Sequence, residues 1–188
     1  WMSILKQVED SVLWLLDDND TARRNLRQAA AKRGVDPDRL VFARRVHPAM
    51  HLARHRLAGL LLDTLPYNAH NSASDALWTG LPLVTCTGRA FDGRVATSLL
   101  REIGLGELIA GTLEDHEALA LALARQFGDA QVTAYPVGVQ AERLDFTPAE
   151  AVRPIRIDGN HADDVVVVAD GRDDVERARA IDGHPRMP

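Results

Sequence analysis

The sequence predicts an α/β fold: one lobe over residues 1–126, with a mainly parallel sheet and helices on both faces. Three observations lead there. Short, continuous apolar runs recur at Ser11–Leu16, Leu40–Ala43, Leu60–Leu62 and Leu83–Thr85, the pattern of strands buried on both faces. Stretches with helical periodicity or helix-start signals separate them, as parallel neighbours joined by crossovers require. Gly and Pro stand at the junctions, at Gly34, Pro48 and Gly80-Leu81-Pro82, where helices stop or start.

The elements follow in order. Trp1, Ile4, Leu5 and Val8 form an i, i+3, i+4, i+7 stripe, so a helix covers the first eight residues. Ser11–Leu16 is the first strand. Asp17-Asp18-Asn19-Asp20 makes the turn and caps a helix from Thr21 to about Arg33, which Gly34 ends. Leu40–Ala43 is the second strand, followed by a loop holding Arg44, Arg45, Val46 and His47. Pro48 then opens a helix carrying His51, Arg54 and His55. Arg94–Glu102 reads as a helix with Val95, Leu99 and Leu100 inward, Leu108-Ile109 as a short strand, and Glu114 to about Gln126 as a last amphipathic helix.

The centre of the chain is Asp63 to Gly88. A strand at Leu60–Leu62 leads into a loop marked by Pro66 and Asn68; Asn71 or Ser72 caps a helix to about Thr79, and Leu83-Val84-Thr85 is the next strand. The loop and helix start hold His70, Asn71, Ser72 and Asp75. A helix N-terminus offers free N–H groups and a positive dipole end, which suits a phosphate. Ser72 adds a hydroxyl donor, His70 an imidazole N–H, and Asp75 an acceptor for sugar hydroxyls. The plain alternative for each is a helix cap or a loop polar group.

Composition excludes several classes. The net charge is −5, which argues against a nucleic-acid partner. No apolar run approaches the ~20 residues of a membrane span, and no signal peptide is apparent. The single cysteine, Cys86, permits a reducing compartment, and a cytoplasmic location is the expectation. Beside a strand end, Cys86 reads as a small buried filler rather than a nucleophile.

Two metal readings compete with the phosphate reading. Asp18 and Asp20 are spaced to hold a divalent cation on a diphosphate. His47, His51 and His55 are spaced four apart, and histidines at i, i+4 share a helix face and can bind zinc. Against the first, acidic residues at a helix start follow from the dipole alone. Against the second, His47 precedes Pro48 and falls outside the helix, and no Glu stands ready as a base. No metal is expected.

From about Phe127 the helical period stops. Residues 127–188 read as an unassigned tail, poorly ordered or not native to the fold, with Asp163–Val168 as its one candidate strand. The apolar density is too low for a second core, and the tail is expected to be dispensable.

The ordered set Leu62-Asp63-Thr64, Asn68, His70, Asp75-Ala76-Leu77-Trp78, Gly80-Leu81-Pro82-Leu83-Val84-Thr85, Gly88, Arg94-Val95 and Ser98-Leu99 resembles the C-terminal catalytic lobe of the Spindly-like O-linked N-acetylglucosamine transferases. The likeness extends upstream through Ser11–Leu16 and Arg39–Phe42, and downstream to about Arg125. The resemblance implies a Rossmann-like lobe of a two-lobed, GT-B type glycosyltransferase. It implies UDP-GlcNAc as donor, Ser or Thr hydroxyls of proteins as acceptors, and no cofactor. It implies that His51 lies against the uracil ring, that Arg54 reaches the base edge, that the backbone near Val46 meets the base, and that His70, Asn71, Ser72 and Asp75 take phosphate and ribose. Two positions depart from the pattern. Pro48 replaces a lysine that often reaches the ribose, and Asn71 replaces the usual threonine. The family's diphosphate lysine would lie just before Trp1, and an N-terminal lobe and tetratricopeptide repeats before that. The chain is therefore expected to be an excised piece, inactive alone. The alternative is a non-catalytic nucleotide-binding or regulatory module. These motifs specify neither the acceptor protein, nor the sugar, nor the oligomeric state.

Overall fold

A computed structural model describes residues 1–128 and 166–169. The helices are α1 (Met2–Gln7), α2 (Asp20–Lys32), α3 (Pro48–Arg54), α4 (Asn71–Trp78), α5 (Val95–Glu102) and α6 (Leu113–Gly128). The strands are β1 (Val12–Leu16), β2 (Leu40–Ala43), β3 (Leu60–Leu62), β4 (Leu83–Cys86), β5 (Ile109–Ala110) and β6 (Val166–Ala169). They form one sheet in the order β2-β1-β6-β3-β4-β5. The pairs β1–β2, β3–β4 and β4–β5 are parallel, as the apolar runs predict.

The crossover through α2 runs to one side of β1, while those through α3, α4 and α5 run to the other. Because such crossovers are right-handed, α2 covers one face and α3, α4 and α5 the opposite face. Alternation along β1 and β2 follows: Leu13, Leu15, Leu40 and Phe42 join the main core with Ile4, Leu5 and Ala30. Val12, Trp14, Val41 and Ala43 make a smaller cluster under Leu57 and Ala58. Helix α6 packs on β3, β4 and β5 and meets α1. Among the described residues no helix is long and apolar enough to cross a membrane.

Local chemistry sets the boundaries. Asn19 accepts from the Ala22 amide at 2.8 Å and caps α2. Pro48 occupies the first turn of α3, with His47 just outside as its cap. Gly80 has φ of +79°, so the chain leaves α4 through a left-handed residue, and Leu81 N–H reaches back to the Ala76 carbonyl at 2.8 Å.

Three expectations are corrected. The N-cap of α4 is His70, with no side-chain cap hydrogen bond, rather than Asn71 or Ser72; Asn71 and Ser72 already lie inside the helix. In α5 Leu100 is buried and Leu99 packs against the core as expected, but Ala96 and Thr97 are the other buried side chains and Val95 is only half-buried. The third correction is one of place. The candidate strand Asp163–Val168 is observed in part, as Val166–Ala169, but it lies in the middle of the sheet, antiparallel to both β1 and β3. A Val-rich segment has high strand propensity, and a slot between two strands satisfies both of its backbone edges. The rest of residues 129–188 lies outside the described residues.

Candidate functional site

In open parallel sheets, ligands bind beyond the C-terminal strand ends, where the strand order reverses. Here that point lies between β1 and β3. A cavity of about 280 Å³ is lined there by Trp14, Leu15, Leu16, Ala43, Arg45, Val46, Pro48, His51, Arg54, His55, Asn71, Ser72 and Asp75. Its size suits part of a nucleotide sugar, since small-molecule sites run from ~300 to 1,000 Å³. The structure thus brings together Val46, His51, Arg54, Asn71, Ser72 and Asp75 from two segments distant in sequence.

His70 stands just off this wall. Its ring stacks on Tyr67 with centroids 4.7 Å apart and planes at 15°. Its Nε2 lies 3.4 Å from the Asp92 carbonyl, which also accepts from Asn68 N–H at 2.9 Å. Because no side chain caps α4, its first-turn N–H groups are open to an outside acceptor. Ser72 is buried inside that first turn, and Asp75 is half-buried one turn on.

Asp63 organises the approach to α4. One carboxylate oxygen accepts from Thr64 N–H at 2.8 Å and Ala69 N–H at 2.6 Å, and the other from the Thr85 hydroxyl. Burial pushes its pKa up, while these donors and His70 pull it back down. The loop 89–93 closes against the same segment. Gly88 N–H bonds the Gly93 carbonyl at 2.6 Å, and a Cβ on Gly88 would sit 2.9 Å from that oxygen.

Across the cavity, Arg54 is only 8% exposed. It donates to the Arg44 carbonyl at 2.9 Å and to His51 Nδ1. Burial lowers the His51 pKa to about 4, helped by His55 and Arg54. Burial and then Arg54 also lower the pKa of His55, whose Nδ1 meets the Thr79 hydroxyl at 3.1 Å. Both imidazoles are therefore neutral near pH 7.

The residues of the two metal readings have other work. Asp20 pairs with Arg23 at 3.0 Å, and Asp18 accepts from Asn19. His47 Nδ1 accepts from Ala49 N–H, and His51 Nδ1 faces Arg54. Among the described residues no group of three or more His, Cys, Asp or Glu is placed to hold a metal. Cys86 is buried beside β5, and burial raises its thiol pKa.

Sequence reasoning assigned no role to Trp14, Arg45 or His55 as cavity walls. Alternation along β1 does place Trp14 on the α3 face, but nothing local shows that this face borders a cavity. Arg45 depends on the loop path, and His55 on α3 ending one residue earlier.

The family model described as Glycosyl transferase family 41 matches residues 1–143. A UDP-N-acetylglucosamine–peptide N-acetylglucosaminyltransferase of Caenorhabditis elegans is 38% identical over 123 residues, 65% of this chain and 11% of that protein. A probable UDP-N-acetylglucosamine–peptide N-acetylglucosaminyltransferase SEC of Arabidopsis thaliana is 38% identical over 125 residues, 66% of this chain and 13% of that protein. A solved mutant of the Thermobaculum terrenum O-GlcNAc transferase superposes with a TM-score of 0.64 at 34% identity, covering 66% of this chain and 25% of that one. The chain thus spans a small part of each relative. With the family model running through both cavity walls and the solved relative sharing the fold, the chain belongs to glycosyl transferase family 41.

Proposed function

We propose that this chain is the nucleotide-sugar-binding lobe of a protein O-GlcNAc transferase-like enzyme. In this reading it binds UDP-GlcNAc, and the whole protein transfers the sugar to Ser or Thr hydroxyls of proteins. The observation that carries the reading is the cavity between α3 and α4, lined by His51, Arg54, Asn71, Ser72 and Asp75, beside a helix N-terminus that no side chain caps. The nucleoside takes the α3 wall, the ribose reaches Asp75, and the diphosphate rests on the start of α4 with Ser72 and His70.

The lobe's chemical task is electrostatic. As the sugar leaves, UDP gains negative charge. Preorganised N–H donors at a helix start stabilise that charge more than they stabilise the ground state. No metal is needed for this step, because backbone N–H groups and an imidazole N–H are the donors.

Calorimetry tests the reading. UDP should bind the folded chain more tightly than ADP, and binding should survive a chelator. Equal affinity for the two nucleotides would remove the uracil assignment. Binding lost in chelator and restored by Mn²⁺ or Zn²⁺ would return the metal readings.

A further inference from the structure

The segment 64–69, just before α4, has a backbone that is fixed without help from His70. The Asp63 carboxylate holds Thr64 N–H and Ala69 N–H, at 2.8 and 2.6 Å. Between them the Thr64 hydroxyl donates to the Tyr67 carbonyl at 2.7 Å, and the buried Asn68 side chain donates to the Thr64 carbonyl at 2.9 Å. Asn68 N–H reaches the Asp92 carbonyl at 2.9 Å. The loop 89–93 backs the segment closely: a Cβ on Gly93 would meet the Pro66 carbonyl oxygen at 2.9 Å. The Tyr67 backbone is thus anchored on both sides.

Burial does not account for where the Tyr67 ring goes. The residue is 40% exposed, and among the described residues its hydroxyl has no hydrogen-bond partner. What the ring meets is the imidazole of His70, at 4.7 Å between centroids and 15° between planes, an offset stack. The other restraint on that imidazole is weak. Its Nε2 lies 3.4 Å from the Asp92 carbonyl, longer than a good hydrogen bond. Without Tyr67 the His70 side chain would turn among rotamers at the start of α4. An imidazole already held loses little further freedom when a ligand arrives.

We propose that Tyr67 is a positioning residue that acts through His70. Its ring holds the imidazole beside the open start of α4, so that the diphosphate of a nucleotide sugar finds an N–H donor already in place. The face of the phenol does this, and its hydroxyl takes no part. The ligand half of this assignment rests on the nucleotide-sugar reading above; the stack does not.

The test has two arms on the full 188-residue chain. In the first, ¹³C–¹H spectra of the ligand-free protein report the His70 ring, assigned with His70→Gln. In wild type the Tyr67 ring current should move the His70 ring protons upfield. Tyr67→Phe should keep that shift, and Tyr67→Leu should lose it. A wild-type ring without the shift, or a Tyr67→Leu ring that keeps it, overturns the proposal. If Tyr67→Leu does not fold, the wild-type and phenylalanine spectra decide it. The second arm is calorimetry with UDP and uridine. Tyr67→Leu should weaken UDP about fivefold, the cost of ordering one side chain anew, and uridine by less than about twofold. Tyr67→Phe should stay within about twofold of wild type for both ligands. Added to His70→Gln, Tyr67→Leu should cost no more than about twofold further, since residues acting as one unit are not additive. An unchanged UDP affinity in Tyr67→Leu, equal losses for UDP and uridine, or full additivity with His70→Gln overturns the proposal. A wild-type chain that binds no UDP removes the nucleotide reading, and the ring-current arm then decides the stack.

Discussion

Replacing Asp63 by Ala removes one acceptor group from three donors at once: Thr64 N–H at 2.8 Å, Ala69 N–H at 2.6 Å and the Thr85 hydroxyl. The Asp63 side chain is 6% exposed and Thr85 is fully buried, so water does not simply take its place. An orphaned buried donor costs about 1–3 kcal/mol. Thr64 is half-buried and regains some hydration, and removing the carboxylate recovers part of its desolvation cost. The net loss for Asp63→Ala should be about 3 kcal/mol by these magnitudes. Asp63→Asn keeps a carbonyl oxygen for both amides and offers N–H₂ to the Thr85 oxygen. Since burial already raises the Asp63 pKa, losing the charge costs little, and the Asn variant should lose about 1 kcal/mol. Urea unfolding with an unchanged m-value measures both. Asn and Ala variants within about 0.5 kcal/mol of each other, at the margin for ordinary surface changes, would show that the hydrogen bonds do not hold the loop before α4.

Asp75→Ala should weaken UDP binding by roughly 1.5–3 kcal/mol, the range for hydrogen bonds to a charged group, and should hardly affect deoxyuridine diphosphate; equal losses for both ligands would remove the ribose role. His70→Ala should weaken UDP more than uridine, and an unchanged diphosphate increment would leave the phosphate to the α4 amides and Ser72. Stability should fall as pH drops from 6.5, the ordinary histidine value, toward about 4, because the folded state resists protonating His51 while the unfolded chain does not. His55 and His116, also lowered by burial, act in the same direction, and Asp63, raised by burial, opposes them at the acid end. A His51→Asn variant should show a shallower slope in that window, and an identical slope would exclude His51 as a source. Val167→Pro should lower the melting temperature, because Val167 is paired with Trp14 on one side and Leu61 on the other and proline removes a ladder donor; an unchanged transition would show that the sheet does not depend on β6.

By itself the sequence determined the parallel strands, because a run such as Leu60-Leu61-Leu62 has no stable place except inside a sheet covered on both faces. It determined the helix starts at Asn19 and Pro48, because capping and the fixed proline φ act within a few residues. It also placed His51, Asn71, Ser72 and Asp75 near strand ends, which the crossover rule turns into one crevice. Tertiary structure decided what depends on partners far apart in the chain. Arg54 reads in sequence as one cation on a short helix; only the fold sets it over Trp14, forty residues away, with the Arg44 carbonyl and His51 among its acceptors. The place of β6 was equally out of reach. A Val-rich run announces a strand through local propensity, but pairing edge, direction and register depend on a gap between β1 and β3 that exists only once the sheet has formed.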